Sequence, residues 1–325
     1  MHGQCERDRQ GDADRQVRAK KIVALVLLNP RAAGGRARRL ADPLRQWLAA
    51  HAPQAEFALT DEIGRAREWL LGRREGSRVV LVGGDGTVQQ LLPQLLARSL
   101  LLGIVPVGSG NDLAGTLGLR GLDWRDALAR ALQGPTSRCD LGELSTAGAT
   151  RPFASSLAAG FDAAIARRAS EGPQWLRGLP RYLWATLGEL AGLRRWRLRV
   201  FVDGTLVHDG EALFASCLNT PSYGAGMPAV PGARIDDMRL DLLLVGRFGR
   251  AGALVMLPQL LAGRHLGHPQ VRAARFAHLR VECDAELPLA ADGEPLAAAR
   301  EFSVRVLPGA LRVVRGLPED FRKGS

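Results

Sequence analysis

The chain has 325 residues, which is too long for one typical domain and enough for two. Its 44 lysine and arginine residues outnumber 33 aspartate and glutamate residues, so the net charge of +11 indicates an anionic partner, unless the genome simply uses arginine freely. The four cysteines are widely spaced without a CxxC pair, which argues against a zinc site or a disulfide framework. No apolar run approaches the roughly 20 residues of a transmembrane helix.

The chain begins with a charged segment, residues 1–20, which lacks the hydrophobic region of a secretory signal and is predicted to be a disordered extension. A continuous apolar run at residues 22–28 then predicts a buried parallel strand. Strands and helices alternate from there to about residue 105, which predicts a Rossmann-like open parallel sheet with helices on both faces. The further strands are predicted at 56–59, 78–82 and 102–105, and the helices at 36–50, 63–71 and 88–97.

The pattern changes after about residue 135, where short strands separated by turn signals such as Asp203-Gly204 predict a mainly antiparallel β-sandwich. Two helical stretches, at about residues 163–195 and 251–262, interrupt it. The predicted fold is therefore α/β plus β, with domains at 21–136, completed by 309–325, and at 137–308. The strands of the second domain are predicted at 138–144, 153–158, 198–202, 212–218, 240–245, 278–283 and 302–307.

The strongest local signal is Gly83-Gly84-Asp85-Gly86-Thr87, which directly follows the strand at 78–82. Glycines let the backbone turn tightly and approach a ligand, and the N-terminus of the next helix offers free N–H groups to a phosphate. Thr87 can cap that helix or bind a phosphate oxygen. Asp85 would repel a phosphate, so it implies a bridging cation such as Mg²⁺. An ordinary strand-to-helix turn also uses glycine and aspartate.

Two further glycine-containing loops, at residues 29–35 and 106–112, follow predicted strands of the same sheet. Loops at the carboxyl ends of parallel strands meet in one crevice, so the three loops together predict a ligand site there. The sequence has no GxxxxGK[ST] motif, which excludes a P-loop enzyme.

The motifs NPRAAGG, VGGDGTV and PVGSGNDLAGTLGL, in this order, resemble those of the diacylglycerol kinase catalytic-domain family, above all its soluble bacterial lipid kinases. The likeness continues with GFDA, YGAGM, DDMRLD and DGE, and it covers about residues 21–316. The resemblance implies an ATP- and Mg²⁺-dependent kinase with an N-terminal nucleotide-binding domain and a C-terminal lipid-substrate domain. It implies phosphorylation of a lipid hydroxyl, and diacylglycerol, which would give phosphatidic acid, is the leading acceptor.

The resemblance also implies roles for individual residues. Glu294 would be the general base, and Asp292 and Asp85 would also be needed for catalysis. Taken alone, Asp292-Gly293 is equally a signal for a type I′ hairpin turn. The nucleotide would lie between the domains, against Asn29, Thr60, Gly83, Gly84, Asp85, Gly86, Thr87, Val88, Gln89, Ser109 and Asn111.

A metal site in the second domain is implied as well. The family's pattern would place Mg²⁺ at Asp237, with the carbonyl groups of Arg234 and Arg239 as further ligands. Here Met238 stands where the family has glycine, in a turn that would favour positive φ, and this change counts against the metal site.

Two other departures concern the first domain. Gln89 and Gln90 stand where the family usually has Asn and Glu, and the lost carboxylate at Gln90 would weaken a contact behind the site or to the metal. They leave open a catalytically inactive nucleotide-binding regulator. Within enzymes, the alternatives are kinases for a sphingoid base, a ceramide-like lipid or a soluble alcohol such as NAD.

The stretch 167–199 combines Trp175, Trp184 and Trp196 with eight arginines. Basic residues with interfacial aromatic residues predict a helix lying on an anionic membrane, although an ordinary amphipathic helix packed on the sheets fits equally. We therefore expect a cytoplasmic protein that associates peripherally with membranes, binds no nucleic acid and forms a homodimer.

Overall fold

The computed structural model of the protein describes residues 24–173, 175–176, 178–224 and 226–316. The predicted extension at 1–20 and the end of the predicted 309–325 segment lie outside these ranges. No helix in the described part of the chain has the length and apolar character needed to cross a membrane.

The first part of the chain alternates strands with helices, as predicted. Its elements are β1 (Ala24–Leu28), a 3₁₀ helix (Arg36–Leu40), α1 (Ala41–His51), β2 (Glu56–Leu59), α2 (Ile63–Leu71), β3 (Arg78–Gly83), α3 (Asp85–Ala97), β4 (Leu101–Pro106), α4 (Asp112–Thr116) and α5 (Trp124–Gln133). The strands pair in parallel in the order β4-β3-β1-β2. In β1, Leu25 and Leu27 pack into the core on one face, and Val26 and Leu28 into the core on the other. The continuous apolar run therefore predicted burial on both faces correctly.

The second part is antiparallel in the pairings among its own strands. It consists of β5 (Thr136–Thr146), β6 (Ala149–Phe153), β7 (Ser156–Ala159), α6 (Phe161–Glu171), α7 (Leu179–Ala191), β8 (Trp196–Val202), β9 (Thr205–Ala212), β10 (Phe214–Leu218), β11 (Leu240–Val245), α8 (Arg250–Leu261), a 3₁₀ helix (His265–Gly267), β12 (Val271–Phe276), β13 (His278–Ala291) and β14 (Glu294–Val314). These strands pack around a separate core that includes Phe153, Phe276 and Phe302. The predicted antiparallel β domain is confirmed.

Strand β14 joins the two parts. It is 21 residues long and pairs antiparallel with β13 and then with β5. At its end, Arg312 and Val313 pair in parallel with Leu101 and Leu102 of β4. The parallel and antiparallel strands therefore belong to one hydrogen-bonded sheet. The turn at the start of β14 is held close to the loops of the parallel part.

Several local details differ from the sequence prediction. The strand predicted at 153–158 is divided into β6 and β7, and the helical stretch at 163–195 is two helices, because Gly172-Pro173 ends the first of them. Strands β9 and β12 were not predicted, since Asp-Gly and Ala-Arg sequences have little strand propensity. Both Asp-Gly turns are type I′ hairpins with positive φ at the two turn residues, as predicted.

Candidate active site

A cavity of about 840 Å³ lies where the parallel strands meet the antiparallel ones. The loops that follow β1, β3 and β4 line one end of it, as the three-loop pattern predicted. The turn between β13 and β14 faces these loops from the other part of the chain. The rest of the cavity runs between α6, α7 and α8 and the antiparallel strands and is lined mainly by apolar side chains.

Glycines make the loop end of the cavity possible. A β-carbon on Gly108 would lie 2.6 Å from the α-carbon of Gly84. The loops after β3 and β4 can therefore approach each other this closely only because both residues are glycine. A β-carbon on Gly86 would lie 2.9 Å from Oε1 of Glu294. The N-terminus of α3 therefore presents bare backbone to the cavity, which suits close approach of a phosphate group.

Asn29 and Thr87 connect the first and second loops. The Asn29 amide donates a hydrogen bond to Oγ1 of Thr87 over 2.9 Å, and Oδ1 of Asn29 accepts one from the backbone N–H of Arg31 over 2.9 Å. These bonds hold the loop after β1 against the start of α3. Both side chains line the cavity, together with Gly84, Asp85, Gly86 and Ser109.

Asp85 lies beneath the third loop. Its carboxylate accepts hydrogen bonds from the backbone N–H groups of Asp112 at 3.1 Å and Leu113 at 3.4 Å, at the start of α4. Burial, and secondly the nearby Asp112 carboxylate, raise the pKa of Asp85 to about 6. Two carboxylates this close favour a cation between them and a bound phosphate, so the residues fit Mg²⁺ held with a nucleotide. Asp85 and Asp112 would hold it.

The raised pKa of Asp85 predicts how nucleotide binding changes with pH. Because Mg²⁺ binds the deprotonated carboxylate, we expect affinity for Mg·ATP to fall about tenfold per pH unit below about pH 6. ATP itself also titrates in this range, so the informative measurement is calorimetric titration of the wild type beside Asp112→Asn. Asp112→Asn also removes a proposed Mg²⁺ ligand, so it should bind Mg·ATP more weakly at every pH. Removing the neighbouring charge should in addition shift the midpoint to lower pH; identical midpoints would contradict the coupling.

Asp292 and Glu294 lie on either side of Gly293, in the turn between β13 and β14. The buried Asp292 carboxylate accepts hydrogen bonds from the backbone N–H groups of Ala154, Ser155 and Ser156, at 2.7 to 2.9 Å. Burial raises the pKa of Asp292 to about 6, although these bonds oppose the shift. Asp292 is thus occupied in holding the turn, and Glu294 is the carboxylate that the turn presents over the N-terminus of α3.

Asp112, Tyr182 and Tyr223 are polar residues of the cavity that were not predicted as site residues from the sequence. Asp112 follows directly on the predicted Asn111, and its Oδ1 accepts hydrogen bonds from Arg120 at 3.2 Å and Ser222 at 3.1 Å. Tyr182 and Tyr223 are the only tyrosines in the chain, and both line the cavity. Tyr223 begins the YGAGM motif, whereas the rarity of tyrosine was the one sequence signal for Tyr182.

Tyr182 fits a slot between two glycines. A β-carbon on Gly224 would lie 3.6 Å from the ring, and one on Gly293 would lie 3.5 Å from the hydroxyl. Burial, followed by the charges of Asp112 and Asp85, raises the pKa of Tyr182 to about 12. The phenol therefore remains protonated and can serve as a hydrogen-bond donor beside the carboxylates.

The remaining residues predicted to bind nucleotide do not line the cavity. Gly83 ends β3, Val88 is part of the core, and Thr60 accepts a hydrogen bond from the backbone of Glu62 in an exposed turn. The Gln89 amide donates to the carbonyl of Pro152 over 3.2 Å, while Gln90 reaches the cavity. The Asn111 amide donates to the carbonyl of Gly108 over 2.7 Å. Contact of these five with a nucleotide stays a prediction.

The loop predicted to bind a second metal ion lies away from the cavity. The Asp237 carboxylate is ion-paired with Arg275 and also accepts a hydrogen bond from the backbone N–H of Arg239. Arg234 instead pairs with Asp236 over 3.2 Å. In the described residues no cluster of three or more acidic, His or Cys side chains could hold a metal.

Met238 does adopt the left-handed conformation that the turn requires, with φ of 60°. Its backbone N–H donates to Asp140 over 2.6 Å, so the turn is held by a hydrogen bond in spite of the missing glycine. A guanidinium lies beside the Asp237 carboxylate, and metal binding by Asp237 with the carbonyl groups of Arg234 and Arg239 stays a prediction.

Comparison with known proteins identifies the chain. The diacylglycerol kinase catalytic domain matches residues 23–144, and the YegS C-terminal NAD kinase beta sandwich-like domain matches residues 155–315. A protein of Mycobacterium tuberculosis named "Diacylglycerol kinase" is 33% identical over 238 residues, 73% of this chain and 76% of that protein. A protein of Chromohalobacter salexigens named "Probable lipid kinase YegS-like" is 33% identical over 244 residues, which are 72% of this chain and 75% of that protein.

A solved structure shows the same fold. A diacylglycerol kinase of Bacillus anthracis superposes with a TM-score of 0.66 at 18% identity, covering 91% of this chain and 97% of that one. The fold and its relatives define a lipid kinase, for which ATP is the expected phosphoryl donor. The chain belongs to the diacylglycerol kinase catalytic-domain family, and the resemblance read from its motifs is confirmed.

Proposed function

We propose that the protein transfers the γ-phosphoryl group of ATP, with Mg²⁺, to the hydroxyl group of a lipid that carries acyl chains, and that diacylglycerol is this acceptor. The observation that carries the proposal is that one cavity has glycine loops and carboxylates at one end and an apolar chamber at the other. Such a cavity fits a substrate with one polar hydroxyl and long hydrocarbon chains.

The apolar chamber distinguishes this acceptor from a soluble alcohol. Side chains from α6, α7, α8 and the antiparallel strands line it, and they include Phe161, Ile165, Leu190, Phe214, Phe248, Met256, Leu257 and Leu260. A dinucleotide such as NAD would leave its charged phosphates and ribose hydroxyls without partners on these surfaces. An acyl chain would gain about 0.8 kcal/mol for each methylene group that it buries there.

The residues at the polar end of the cavity would carry out the phosphoryl transfer. The Glu294 carboxylate would accept the proton of the lipid hydroxyl. The hydroxyl oxygen would form a bond to the γ-phosphorus as the bond from this phosphorus to the leaving ADP breaks. The backbone N–H groups at the start of α3 would bind phosphate oxygens. Bound Mg²⁺ would neutralise phosphate charge during transfer. Tyr182 is placed to donate a hydrogen bond to the acceptor or to a phosphoryl oxygen.

The test is transfer of radiolabelled γ-phosphate from ATP to a panel of diacylglycerols of different chain length, a sphingoid base, a ceramide, NAD and glycerol. We expect labelled phosphatidic acid and no labelled NADP. Labelling of a soluble alcohol, with all lipids unlabelled, would overturn the proposal.

Filling the chamber should change acceptor length preference. Ala253 lines the cavity on α8, so Ala253→Phe is expected to lower transfer to long-chain diacylglycerol about tenfold or more, because excluding even two methylene groups forgoes about 1.6 kcal/mol. Transfer to a short-chain diacylglycerol and affinity for ATP should change little. Ala251→Phe, on the exposed side of the same helix, is the control. Equal chain-length profiles for the two variants would show that acyl chains do not occupy the chamber.

A further inference from the structure

Helix α8 is apolar on all sides, yet it has no buried residue. Its sequence is RAGALVMLPQLL, in which Arg250 and Gln259 are the only polar residues. Helices of this composition are normally surrounded by protein core or by lipid, because each of their sides excludes water. The helix therefore lacks a partner on at least one side in the described structure.

The two sides of α8 face different surroundings. Ala253, Met256 and Leu257 line the cavity, where the proposed acyl chains would cover them. On the opposite side, Leu254 is 50% exposed and Val255 is 64% exposed. An acyl chain inside the cavity cannot reach these outer residues, so they need another partner.

Helix α7 lies against α8 and has the same two-sided arrangement. Tyr182, Thr186 and Leu190 line the cavity, whereas Leu187 on its outer side is 56% exposed. We call the outer sides of the two helices, with Leu187, Leu254 and Val255, the helix-pair face. An apolar surface of this kind on a protein that stays in solution marks a site of interaction.

Basic residues stand at both ends of α8. Between Asp241 and Glu282 the sequence contains six arginines and no aspartate or glutamate. Arg247 pairs with Glu211 over 3.3 Å, and Arg275 and Arg280 pair with Asp237 and Glu282, so the argument depends on Arg250 and Arg264. Arg250 begins α8, and Arg264 follows shortly after its end. An apolar helix with basic residues at both ends is suited to the boundary between acyl chains and anionic headgroups.

We propose that the helix-pair face docks on the surface of a lipid bilayer that contains anionic lipid. The proposal rests on the proposed function, since a diacylglycerol acceptor resides in a bilayer and must pass from it into the cavity beneath the same helices. A second copy of the chain fits the face less well, because a two-fold interface through α8 would bring Arg250 and Arg264 of the two copies together.

This face includes part of the stretch 167–199 that the sequence predicted for membrane contact, since α7 lies within it, but the arginines at the end of that stretch lie elsewhere. Arg197 lies on β8 and pairs with Asp209 over 3.3 Å, and Arg199 pairs with Glu282 over 2.8 Å. Arg195 lies 3.9 Å from Glu211. These three arginines lie outside the helices and are paired, so the helix-pair face is argued without them, and their contact with a membrane stays a prediction.

The experiment compares binding of the full chain to vesicles of phosphatidylcholine with and without phosphatidylglycerol, measured by cosedimentation. The test variant is Leu254→Gln with Val255→Gln, and the control is Leu71→Gln, which alters a similarly exposed leucine on α2. Loss of two apolar contacts should weaken binding to the mixed vesicles by about 10- to 100-fold, and the control should bind like the wild type. Thermal unfolding of all three proteins checks that they are folded.

Unchanged vesicle binding by the double variant would overturn the proposal. A wild-type dimer that the double variant dissociates, with vesicle binding unaltered, would also overturn it and assign the face to a second copy. Phosphate transfer to short-chain diacylglycerol dispersed without vesicles separates the two proposals. If the wild type binds vesicles through this face but phosphorylates no lipid, the docking proposal stands and the proposed function fails. If both variants phosphorylate the dispersed lipid and also bind vesicles equally, the proposed function stands and the docking proposal fails.

Discussion

Replacing Glu294 with glutamine is expected to lower the rate of phosphoryl transfer by about 10²- to 10⁴-fold, because the amide cannot accept the proton of the attacking hydroxyl. The substitution preserves size, so the position of the side chain over the start of α3 should be retained. Affinity for ATP should change little. Single-turnover transfer of radiolabelled phosphate, with ATP binding measured separately, distinguishes loss of the chemical step from loss of binding.

The matched control is Glu286→Gln, which makes the same change at an exposed position on β13 and should have wild-type activity. The hydrogen-bonded position of Asp292 leaves Glu294 as the carboxylate of the turn that is available to act as a base. Full activity in Glu294→Gln would therefore remove the proposed mechanism, whereas loss of activity in both variants would show that the assay reports stability.

Replacing Asp292 with alanine is expected to lower both stability and activity. Three backbone N–H groups at the start of β7 would lose their acceptor, which costs roughly 3 kcal/mol once the cost of burying the charge is subtracted. For a protein of this size, with an entropy of unfolding of roughly 0.7 kcal/mol/K, the melting temperature should fall by about 4 to 5 °C. Activity should fall further than stability accounts for, because Glu294 would lose its position.

Asp203→Ala is a natural control for this variant. Asp203 begins the other Asp-Gly hairpin and accepts hydrogen bonds from the backbone of Ala277 and His278 at 3.0 and 2.8 Å, but it lies in an exposed turn outside the cavity. Calorimetry and kinase assays on both variants should show lower stability in each and lower activity, below the melting temperature, only in Asp292→Ala. Equal activities would show that the Asp292 turn does not position Glu294.

Much of the parallel part could be predicted from the sequence, because its signals are local. The strand at 56–59 and the helix at 63–71 have the predicted bounds, since apolar residues recur there at the period of one element and end at turn residues. The three glycine loops meet because parallel strands bring their carboxyl ends to one edge. The family motifs then supplied the order of the elements beyond what periodicity could give.

The remainder of the site depends on distant segments. Tyr182 reaches Asp85 and Asp112 only because Gly224 and Gly293, far along the chain, leave a slot for its ring. The apolar chamber is space that no side chain fills, and a pattern of residues along the chain does not record such space. The ion pair between Asp237 and Arg275 of β12 likewise joins distant segments, and no local signal in the sequence indicates it.

The single path of β14 limits how the protein can be divided. Its first residue is Glu294, and 18 residues later Arg312 completes the hydrogen bonding of β4. Expressing the N-terminal half by itself would remove that partner and expose the edge of the apolar strand β4, which favours aggregation. The proposed base and the strand that supports the glycine loops thus belong to one continuous segment, so chimaeras between relatives should exchange this strand whole.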